Sequence, residues 1–326
     1  MWTDILGHQK QTEQLKQDIK SSLLPHAYLF SGLGGIGKSL IARTFVKALF
    51  CEKAPDVCDK CISCIKIEKN SHPDVFWIEP QTNKILIEQI RELQQGMQFH
   101  PLEGNYKAAV INEAQCMTES ASNSLLKVLE EPPDKTHFIL ITSADRLILP
   151  TIRSRCRQIT FSPLNKKNIV SYLVDKTNTS NDEAKQIAEL AQGSLATTSI
   201  IDKEFMEGVL DRFENLVDKA NASDIIALAE AWSKEEERLP LIFDLIATFY
   251  RNMLLARVAK NNATFEEKLY LDETKLRKIM GKRSTDDLLK DFFKVAKARD
   301  TLFNTTFNKQ LLFEDLLFSL TSVCSM

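Results

Sequence analysis

Residues 32–39 read GLGGIGKS and match the pattern G-x-x-x-x-G-K-[ST], in which a turn encloses phosphate groups. An apolar run precedes the match and a helical pattern follows it, which is the context that phosphate binding needs. Backbone N–H groups can converge on phosphate oxygens at the four glycines, Gly32, Gly34, Gly35 and Gly37. We expect Lys38 to reach the β- and γ-phosphates of a nucleotide and Ser39 to ligate Mg²⁺. A chance match in a glycine-rich turn is the alternative.

The second half of such a site is an apolar strand that ends in an acidic residue, often followed by a glutamate that activates water. Residues 108–115, AAVINEAQ, fit this pattern in part. Glu113 is available as a general base, whereas Asn112 stands where an aspartate is expected. An amide can bind a metal-bound water but adds no negative charge to hold the ion. The sequence therefore predicts binding of ATP or ADP with Mg²⁺, with Asn112 at the site and weak or absent hydrolysis.

Four of the cysteines are close together in the sequence, at Cys51, Cys58, Cys61 and Cys64. The short C-x₂-C steps let thiolates converge on one tetrahedral ion, and four thiolates are typical of a structural Zn²⁺ site. An iron–sulfur cluster and unligated reduced thiols are the alternatives. His72 is nearby, but a lone histidine before Pro73 is more typical of a loop. The remaining cysteines are expected to be small buried hydrophobes, namely Cys116, Cys156 and Cys324.

The composition limits the class of protein. The chain has 326 residues, of which 44% are hydrophobic and 26% are charged, as in soluble globular proteins of two or three domains. A formal net charge of −2 gives no overall positive field that would hold nucleic acid through its phosphates. If the protein works on DNA, its partners must therefore supply many of the contacts that bind the DNA.

The sequence also bears on the cellular compartment. The first residues lack the basic start, the apolar stretch and the small-residue cleavage site of a secretory signal. The most apolar later stretch, 239–256, is interrupted by Pro240, Asp244 and Arg251, and its length is at the short limit for a membrane span. We interpret it as a buried helix. Clustered cysteines without an export signal favour a metal site over disulfides and predict a cytoplasmic protein.

Strand and helix patterns alternate through the first half of the chain. Short β-rich runs lie at 27–31, 75–79, 108–112, 137–143 and 158–161. Apolar residues at helical spacing separate these runs at 39–50, 86–95 and 120–130. Such alternation predicts an α/β fold with a parallel sheet that is covered by helices on both faces.

The pattern changes after Pro163. Residues 164–195 form a short helical stretch that ends at Gly193 and predicts a small second domain. From about residue 206 onward, long amphipathic segments follow one another, at 209–220, 241–259, 287–303 and 310–323. Their apolar stripes exceed what the small domain can cover, so they predict a third, all-helical domain that mediates oligomerisation.

Further motifs accompany residues 32–39 in a characteristic order. They are PHAYLFSG at 25–32, SNSLLKVLEEPP at 122–133 and TIRSRC at 151–156, and the four-cysteine module is inserted after the helix that follows the phosphate loop. This order and spacing resemble the subunits of the bacterial clamp loader, a family of AAA+ proteins. The resemblance covers roughly residues 1–200 by motif and the remainder by architecture.

The resemblance implies three domains and a role in replication. A P-loop domain is expected at 1–162 with a zinc module at 51–64, followed by a helical lid at 163–205 and a helical collar at 206–326. Family members load the sliding clamp onto primed DNA in an ATP-dependent manner. This chain is then expected to assemble with motor (tau/gamma) and delta subunits, to reach DNA through the complex, and to have no polymerase chemistry of its own.

Two kinds of family member fit the motifs. Motor subunits carry an aspartate–glutamate pair in the second nucleotide motif and an arginine directly after GSL in the lid, where this chain has Asn112 and Ala196. These departures resemble the delta-prime type, whereas the intact phosphate loop and Glu113 favour an active motor of the tau/gamma type. A zinc-containing P-loop protein of recombination or helicase loading is a third reading, but it leaves LEEPP and SRC unexplained.

The SRC motif contains Arg155. The resemblance assigns this residue as an arginine finger that enters the ATP site of the adjacent subunit, where a guanidinium stabilises charge on the transferred phosphoryl group. From the residues alone, a solvated basic patch formed by Arg153, Arg155 and Arg157 is the alternative.

Overall fold

The computed structural model describes residues 1–21, 24–201, 203–219, 221–235, 238–258, 281, 283–304 and 308–321. They form two compact units. The first consists of Met1–Ser171 with Gln192–Ala196, and the second of Tyr172–Ala191 with Thr197–Met326.

A five-stranded parallel sheet organises the first unit. Its strands are β1 (Ala27–Ser31), β2 (Val75–Ile78), β3 (Lys107–Ile111), β4 (Thr136–Thr142) and β5 (Arg157–Thr160). They lie in the order β2-β3-β4-β1-β5, and each neighbouring pair is parallel. Strands β1, β3 and β4 are buried along their whole length, as expected for strands covered on both faces. The predicted α/β fold with a parallel sheet is confirmed.

Helices connect the strands and cover the sheet. They are α1 (Gln9–Lys20), α2 (Lys38–Phe50), α3 (Ile62–Glu68), α4 (Ile87–Met97), α5 (Glu119–Glu130) and α6 (Pro150–Arg153). Helix α7 (Lys166–Thr177) follows β5 and contains residues of both units. Successive residues of β1 contribute to different layers, because side chains alternate between the two faces of a strand. Leu29 joins the core that α4 and α5 share with β4, whereas Tyr28 packs edge-on against Phe45 of α2 with ring centroids 5.2 Å apart.

The second unit is helical in the residues described. Its main helices are α8 (Asn181–Leu190), α10 (Lys203–Lys219), α11 (Ala222–Ser233), α12 (Leu239–Val258), α13 (Thr285–Asn304) and α14 (Lys309–Leu320), and the short α9 (Leu195–Thr198) contains residues of both units. Aromatic rings join three of these helices. Phe313 stacks on Phe243 at 4.7 Å between centroids and contacts Trp232 edge-on at 5.6 Å.

Helix α12 contains the apolar stretch interpreted above as buried. By length and composition alone, Leu239–Arg257 could cross a membrane, but 61% of its most apolar window is buried inside the protein. This burial confirms a core helix.

Most of the predicted ends of strands and helices agree with the structure. Each of the five predicted strands matches an observed strand within one residue at either end. The stretch 164–195 is divided between α7 and α8, because Asn178 adopts a left-handed φ of 53° and Ser180 begins the next helix by accepting a hydrogen bond from the Glu183 N–H at 3.3 Å. Helix α10 starts six residues before the predicted 209, since Gly208 does not interrupt it. The predicted ends at 220, 259 and 323, and Cys324, lie outside the described residues.

A buried carboxylate joins the start of β2 to the loop before β3. Asp74 accepts hydrogen bonds from the N–H groups of Leu102, Glu103 and Gly104 at 2.7, 2.8 and 3.0 Å. Burial opposes its ionisation, but these three N–H groups hold the pKa of Asp74 below its ordinary value. The ionised carboxylate therefore satisfies backbone donors that the loop itself leaves without partners in a helix or strand.

Replacing Asp74 with Asn should lower the free energy of unfolding by about 2–3 kcal/mol at pH 7, because charge-assisted bonds are lost and buried donors remain. The depressed pKa means that this stability is present above pH ~4 and disappears as the pH falls through the folded-state pKa of Asp74. Urea unfolding of both proteins at several pH values measures the difference. Asp134→Asn, at an exposed position, is the control. Equal stabilities at pH 7 would contradict this account of the loop.

Candidate nucleotide site and metal centre

The phosphate loop, residues 32–39, connects β1 to the first turn of α2. At two of its glycines, the backbone lies so close to neighbouring atoms that a side chain would not fit. A Cβ on Gly32 would lie 2.3 Å from the carbonyl oxygen of Phe161, and a Cβ on Gly35, whose φ is 75°, would lie 2.3 Å from Ser194 Oγ. Gly34 and Gly37 lie in the same loop, and Gly37 directly precedes α2. The strand, turn and helix that the motif predicted are all present, so the loop N–H groups lie at the positive end of a helix.

Lys38 is the first residue of α2 and is buried. Its Nζ donates hydrogen bonds to the carbonyl oxygens of Gly32 at 2.7 Å and Leu33 at 2.6 Å, so the side chain folds back along the loop. Burial lowers the pKa of Lys38, and the negative charge of Glu113 opposes this shift. The ammonium group therefore lies inside the loop that is suited to anions.

Ser39 and Asn112 are in direct contact. Ser39 Oγ donates a hydrogen bond to Asn112 Oδ1 at 3.0 Å, and Asn112 Nδ2 donates to Glu79 Oε2 at 3.0 Å. Asn112 directly follows β3 and Glu79 directly follows β2, which are neighbouring strands. Because the Ser39 hydroxyl directs its proton toward Asn112, its oxygen lone pairs remain available to a cation.

Glu113 lies in a second polar cluster, at the end of β4. It has a left-handed φ of 48°, and its Oε2 accepts a hydrogen bond from Ser143 Oγ at 3.3 Å and another from Gln115 Nε2. Gln115 is held in turn by Thr142 Oγ1, which donates to its Oε1 at 2.7 Å. The candidate base is thus fixed by neighbouring side chains.

The sequence reasoning missed three members of these clusters, Glu79, Gln115 and Ser143. A usable signal was present for Glu79 and Ser143, because each is the last residue of a predicted strand and ligands bind at the carboxyl ends of parallel strands. Gln115 is positioned by the short turn at Ala114–Cys116, which periodicity does not indicate.

Two further segments contact the phosphate loop. The backbone N–H groups of Leu195 and Ala196 donate to the Gly35 carbonyl at 2.9 and 3.3 Å, so position 196 lies beside the loop. On another side, His8 Nε2 donates to the Ile36 carbonyl at 3.1 Å, and burial lowers the pKa of His8. Sequence reasoning did not identify His8, since no motif marks it.

Arg155 lies just after α6, and its hydrogen-bond partners Thr151 and Glu130 belong to neither polar cluster. Its Nη2 pairs with Glu130 Oε1 at 2.7 Å and its Nη1 donates to the Thr151 carbonyl at 3.0 Å. The Arg155 and Glu130 side chains are 35% and 50% exposed, and an ion pair so accessible to water contributes at most about 1 kcal/mol. The guanidinium can therefore leave Glu130 at little cost.

The three arginines of this region are not equivalent. Arg157 pairs with the largely buried Asp18 at 2.9 Å, and Arg153 pairs with Asp145 at 3.6 Å. Asp18 also accepts a hydrogen bond from the buried Tyr28 hydroxyl at 3.0 Å, so the Arg157 pair ties β5 to the core of the unit. A uniformly solvated basic patch does not describe this set.

The four cysteine sulfurs converge. The Sγ atoms of Cys51, Cys58, Cys61 and Cys64 all lie within 4.8 Å of one another. Cys51 directly follows α2. Cys61 directly precedes α3, and Cys64 lies in the first turn of that helix. A tetrahedron of sulfurs around a metal at about 2.3 Å has edges of about 3.8 Å, so a small contraction would complete it. The cluster could hold a metal ion.

The electrostatics of the cluster favour thiolate at its exposed side. N–H groups of Lys60 and Cys61 point at Cys58 Sγ from 3.5 and 3.3 Å and lower the pKa of this thiol to about 6. Burial raises the pKa of Cys51 and of Cys64. A bound cation would offset that burial, because it stabilises the charged form of all four sulfurs.

Side chains outside the cluster fasten the module to the first unit. The buried Lys47 of α2 contacts Asp59 at 2.5 Å and Glu68 at 2.7 Å, and Trp2 Nε1 donates to the Pro55 carbonyl at 3.0 Å. The module is therefore held by α2 and by the first residues of the chain.

Comparison with known proteins shows which family this chain is similar to in sequence. A family profile described as "DNA polymerase III, delta subunit" matches residues 7–165. The DNA polymerase III subunit delta' of Bacillus subtilis is 31% identical over 264 residues, which are 78% of this chain and 80% of that protein. The subunit tau of the same organism is 31% identical over 300 residues, 83% of this chain and 53% of that protein, so this chain spans about half of it.

A solved gamma-subunit-related protein of Thermotoga maritima aligns with 95% of this chain and 98% of its own, at 16% identity and a TM-score of 0.40. The identity and coverage of the delta' relative establish the family by sequence. The chain belongs to the family of DNA polymerase III clamp-loader subunits, which are AAA+ proteins.

The cysteine geometry predicts that the chain binds one Co²⁺, used as a spectroscopic probe, with the visible absorption of a tetrahedral thiolate site. Cys61→Ser should weaken Co²⁺ binding by at least about tenfold, because a hydroxyl is a poor ligand for such an ion. Cys116→Ser, outside the cluster, is the matched control and should bind like the wild type. The cluster is not a metal site if the wild type gives no thiolate bands, or if the two variants are indistinguishable.

Proposed function

We propose that this chain is a clamp-loader subunit of the delta-prime type, which takes part in ATP-dependent loading of the sliding clamp onto primed DNA. The observation that carries the proposal is an intact phosphate loop beside two altered positions. Asn112 contacts Ser39 where an aspartate would add charge, and Ala196 lies against Gly35 where an arginine could reach a γ-phosphate. Such a site keeps phosphate recognition and loses the groups that drive turnover.

In this proposal the loop binds ATP or ADP with Mg²⁺. Lys38 would exchange its two carbonyl partners for phosphate oxygens, which form stronger, charge-assisted bonds with an ammonium group. Ser39 would ligate the metal through the oxygen left free by its bond to Asn112. Glu113 could accept a proton from water, but Gln115 and Ser143 engage its carboxylate. Hydrolysis by the chain alone is therefore weak or absent.

Arg155 is proposed to act in trans, at the ATP of a neighbouring subunit. Its exposure and its weak pairing with Glu130 support this role, because little energy is needed to turn the guanidinium outward. Arg157 pairs with the largely buried Asp18 and is less suited to reaching another chain.

The cysteine module, 51–64, is proposed to hold a structural zinc ion. Four thiolates form a closed site without an open coordination position, as in structural rather than catalytic zinc sites. The segments 163–205 and 206–326 are proposed as lid and collar, the collar being the part that binds the motor and delta subunits. Exposed apolar side chains on described helices of the second unit support such an interface, among them Ile226, Leu255, Leu289, Phe293 and Leu311.

An active motor of the tau/gamma type is the second candidate. The intact phosphate loop and the presence of Glu113 favour it, and the relatives include tau and gamma subunits as well as delta'. Turnover of ATP by the purified chain separates the two candidates.

The first test is nucleotide binding. Lys38→Ala should abolish binding of ATP and ADP, because the buried ammonium group is lost, whereas Lys127→Ala on the exposed face of α5 should not. Calorimetric titration measures binding, and phosphate release should be slower than about 1 s⁻¹, the lower end of typical enzymes. Turnover in the range of motor ATPases would favour the second candidate.

The second test concerns Arg155. In loaders assembled from wild-type motor subunits and the Arg155→Ala chain, the ATPase rate at one site should fall by a factor of up to about 10³. Arg155→Lys should rescue poorly, because an ammonium group cannot replace the planar fork.

Two controls accompany the Arg155 test. Arg146→Ala removes an exposed arginine of the same region, and Glu130→Gln releases Arg155 without removing it. Neither should lower the ATPase rate. Unchanged ATPase and clamp loading with Arg155→Ala would show that no finger acts from this position.

A further inference from the structure

Asn112 is not an isolated amide at the end of β3. Its Oδ1 accepts from Ser39 and its Nδ2 donates to Glu79 at 3.0 Å, so the amide connects a predicted metal ligand to a carboxylate. An amide that donates to a carboxylate has a more negative oxygen, since hydrogen bonds in a chain polarise one another. The negative charge that is missing at position 112 is therefore present one hydrogen bond away.

Besides Asn112, two neighbours hold Glu79 in place. Its Oε1 accepts from Trp77 Nε1 at 2.6 Å, and its carbonyl oxygen accepts from Gln89 Nε2 at 2.9 Å. The guanidinium of Arg43 lies 4.3 Å from the centre of the Trp77 ring, which connects the end of β2 to the helix that bears Ser39. An exposed carboxylate that accepts from two side chains is positioned more firmly than a free surface glutamate.

We propose that Glu79 supplies the negative charge for the magnesium ion of the nucleotide site, acting through the Asn112 amide and bound water. The inference rests on the proposed nucleotide binding and goes beyond it, because it assigns the metal-holding charge to a different strand. Hard cations such as Mg²⁺ keep several waters and are bound through one or two carboxylates, so a carboxylate in an outer position suits this ion.

The variants for the test separate charge from hydrogen bonding. Glu79→Gln removes the charge and retains one oxygen that can accept from Asn112, while its NH₂ group replaces the oxygen that accepts from Trp77 Nε1. The double variant Glu79→Gln/Asn112→Asp moves the charge to the usual position, and the hydrogen bond between the two side chains is retained with its direction reversed. Glu88→Gln, at an exposed position in the first turn of α4, removes the same net charge elsewhere.

The experiment measures ATP affinity of the full chain by calorimetry in Mg²⁺ and in EDTA. Glu79→Gln should lower the Mg²⁺-dependent gain in affinity roughly three- to tenfold at low ionic strength, and the loss should shrink in high salt because Glu79 is exposed. Its affinity for metal-free ATP should be at least that of the wild type, because a negative charge near the phosphates is removed and the loop stays intact. The double variant should recover the Mg²⁺-dependent gain in ATP affinity. Glu88→Gln should keep this gain at both low and high ionic strength.

The outcomes distinguish the two proposals. If Glu79→Gln keeps the full Mg²⁺-dependent gain, or the double variant fails to recover it, Glu79 has no role at the metal while nucleotide binding stands. If the wild type binds no ATP in Mg²⁺ or in EDTA, the proposed nucleotide site and this inference are both wrong.

Discussion

The pairing of β1 with β4 and of β4 with β3 determines where polar side chains of the first unit meet. These strands are buried along their whole length, so side chains within them are restricted to apolar packing or to internal hydrogen bonds. Parallel direction brings their carboxyl ends to one edge of the sheet. The phosphate loop, the Asn112–Glu113 pair and Ser143 all begin at that edge, although the sequence separates them widely.

Along this edge, hydrogen-bond partners divide the site between two groups. Ser39, Asn112 and Glu79 form one chain of contacts, and Glu113, Gln115 and Ser143 form the other. The first group is suited to holding a cation, and the second holds a carboxylate that could activate water. Asn112 and Glu113 are consecutive residues after β3, but their hydrogen-bond partners are different, so a sequence can lose the efficiency of one group and keep the other. This separation explains physically how a subunit could bind nucleotide without turning it over.

Local patterns predicted a large part of this structure. The strands follow from short apolar runs, and the phosphate loop and the cysteine cluster follow from fixed spacings that the chain geometry preserves. Contacts between distant residues were not predictable in the same way. Nothing in the spacing of Asp74 and Leu102, of Glu79 and Asn112, or of Arg155 and Glu130 indicates that the members of each pair meet. Their contacts depend on sheet order, which the strand pattern alone does not determine.

Helix α2 separates the two candidate sites, since the phosphate loop lies at its first residue and Cys51 directly follows its last. Its 13 residues span about 20 Å, which is about two and a half times the Debye length in physiological salt. A divalent ion held by four thiolates has a net negative charge, the same sign as nucleotide phosphates. A metal bound by the cysteines and a nucleotide bound at the loop would therefore repel each other only weakly through the solvent.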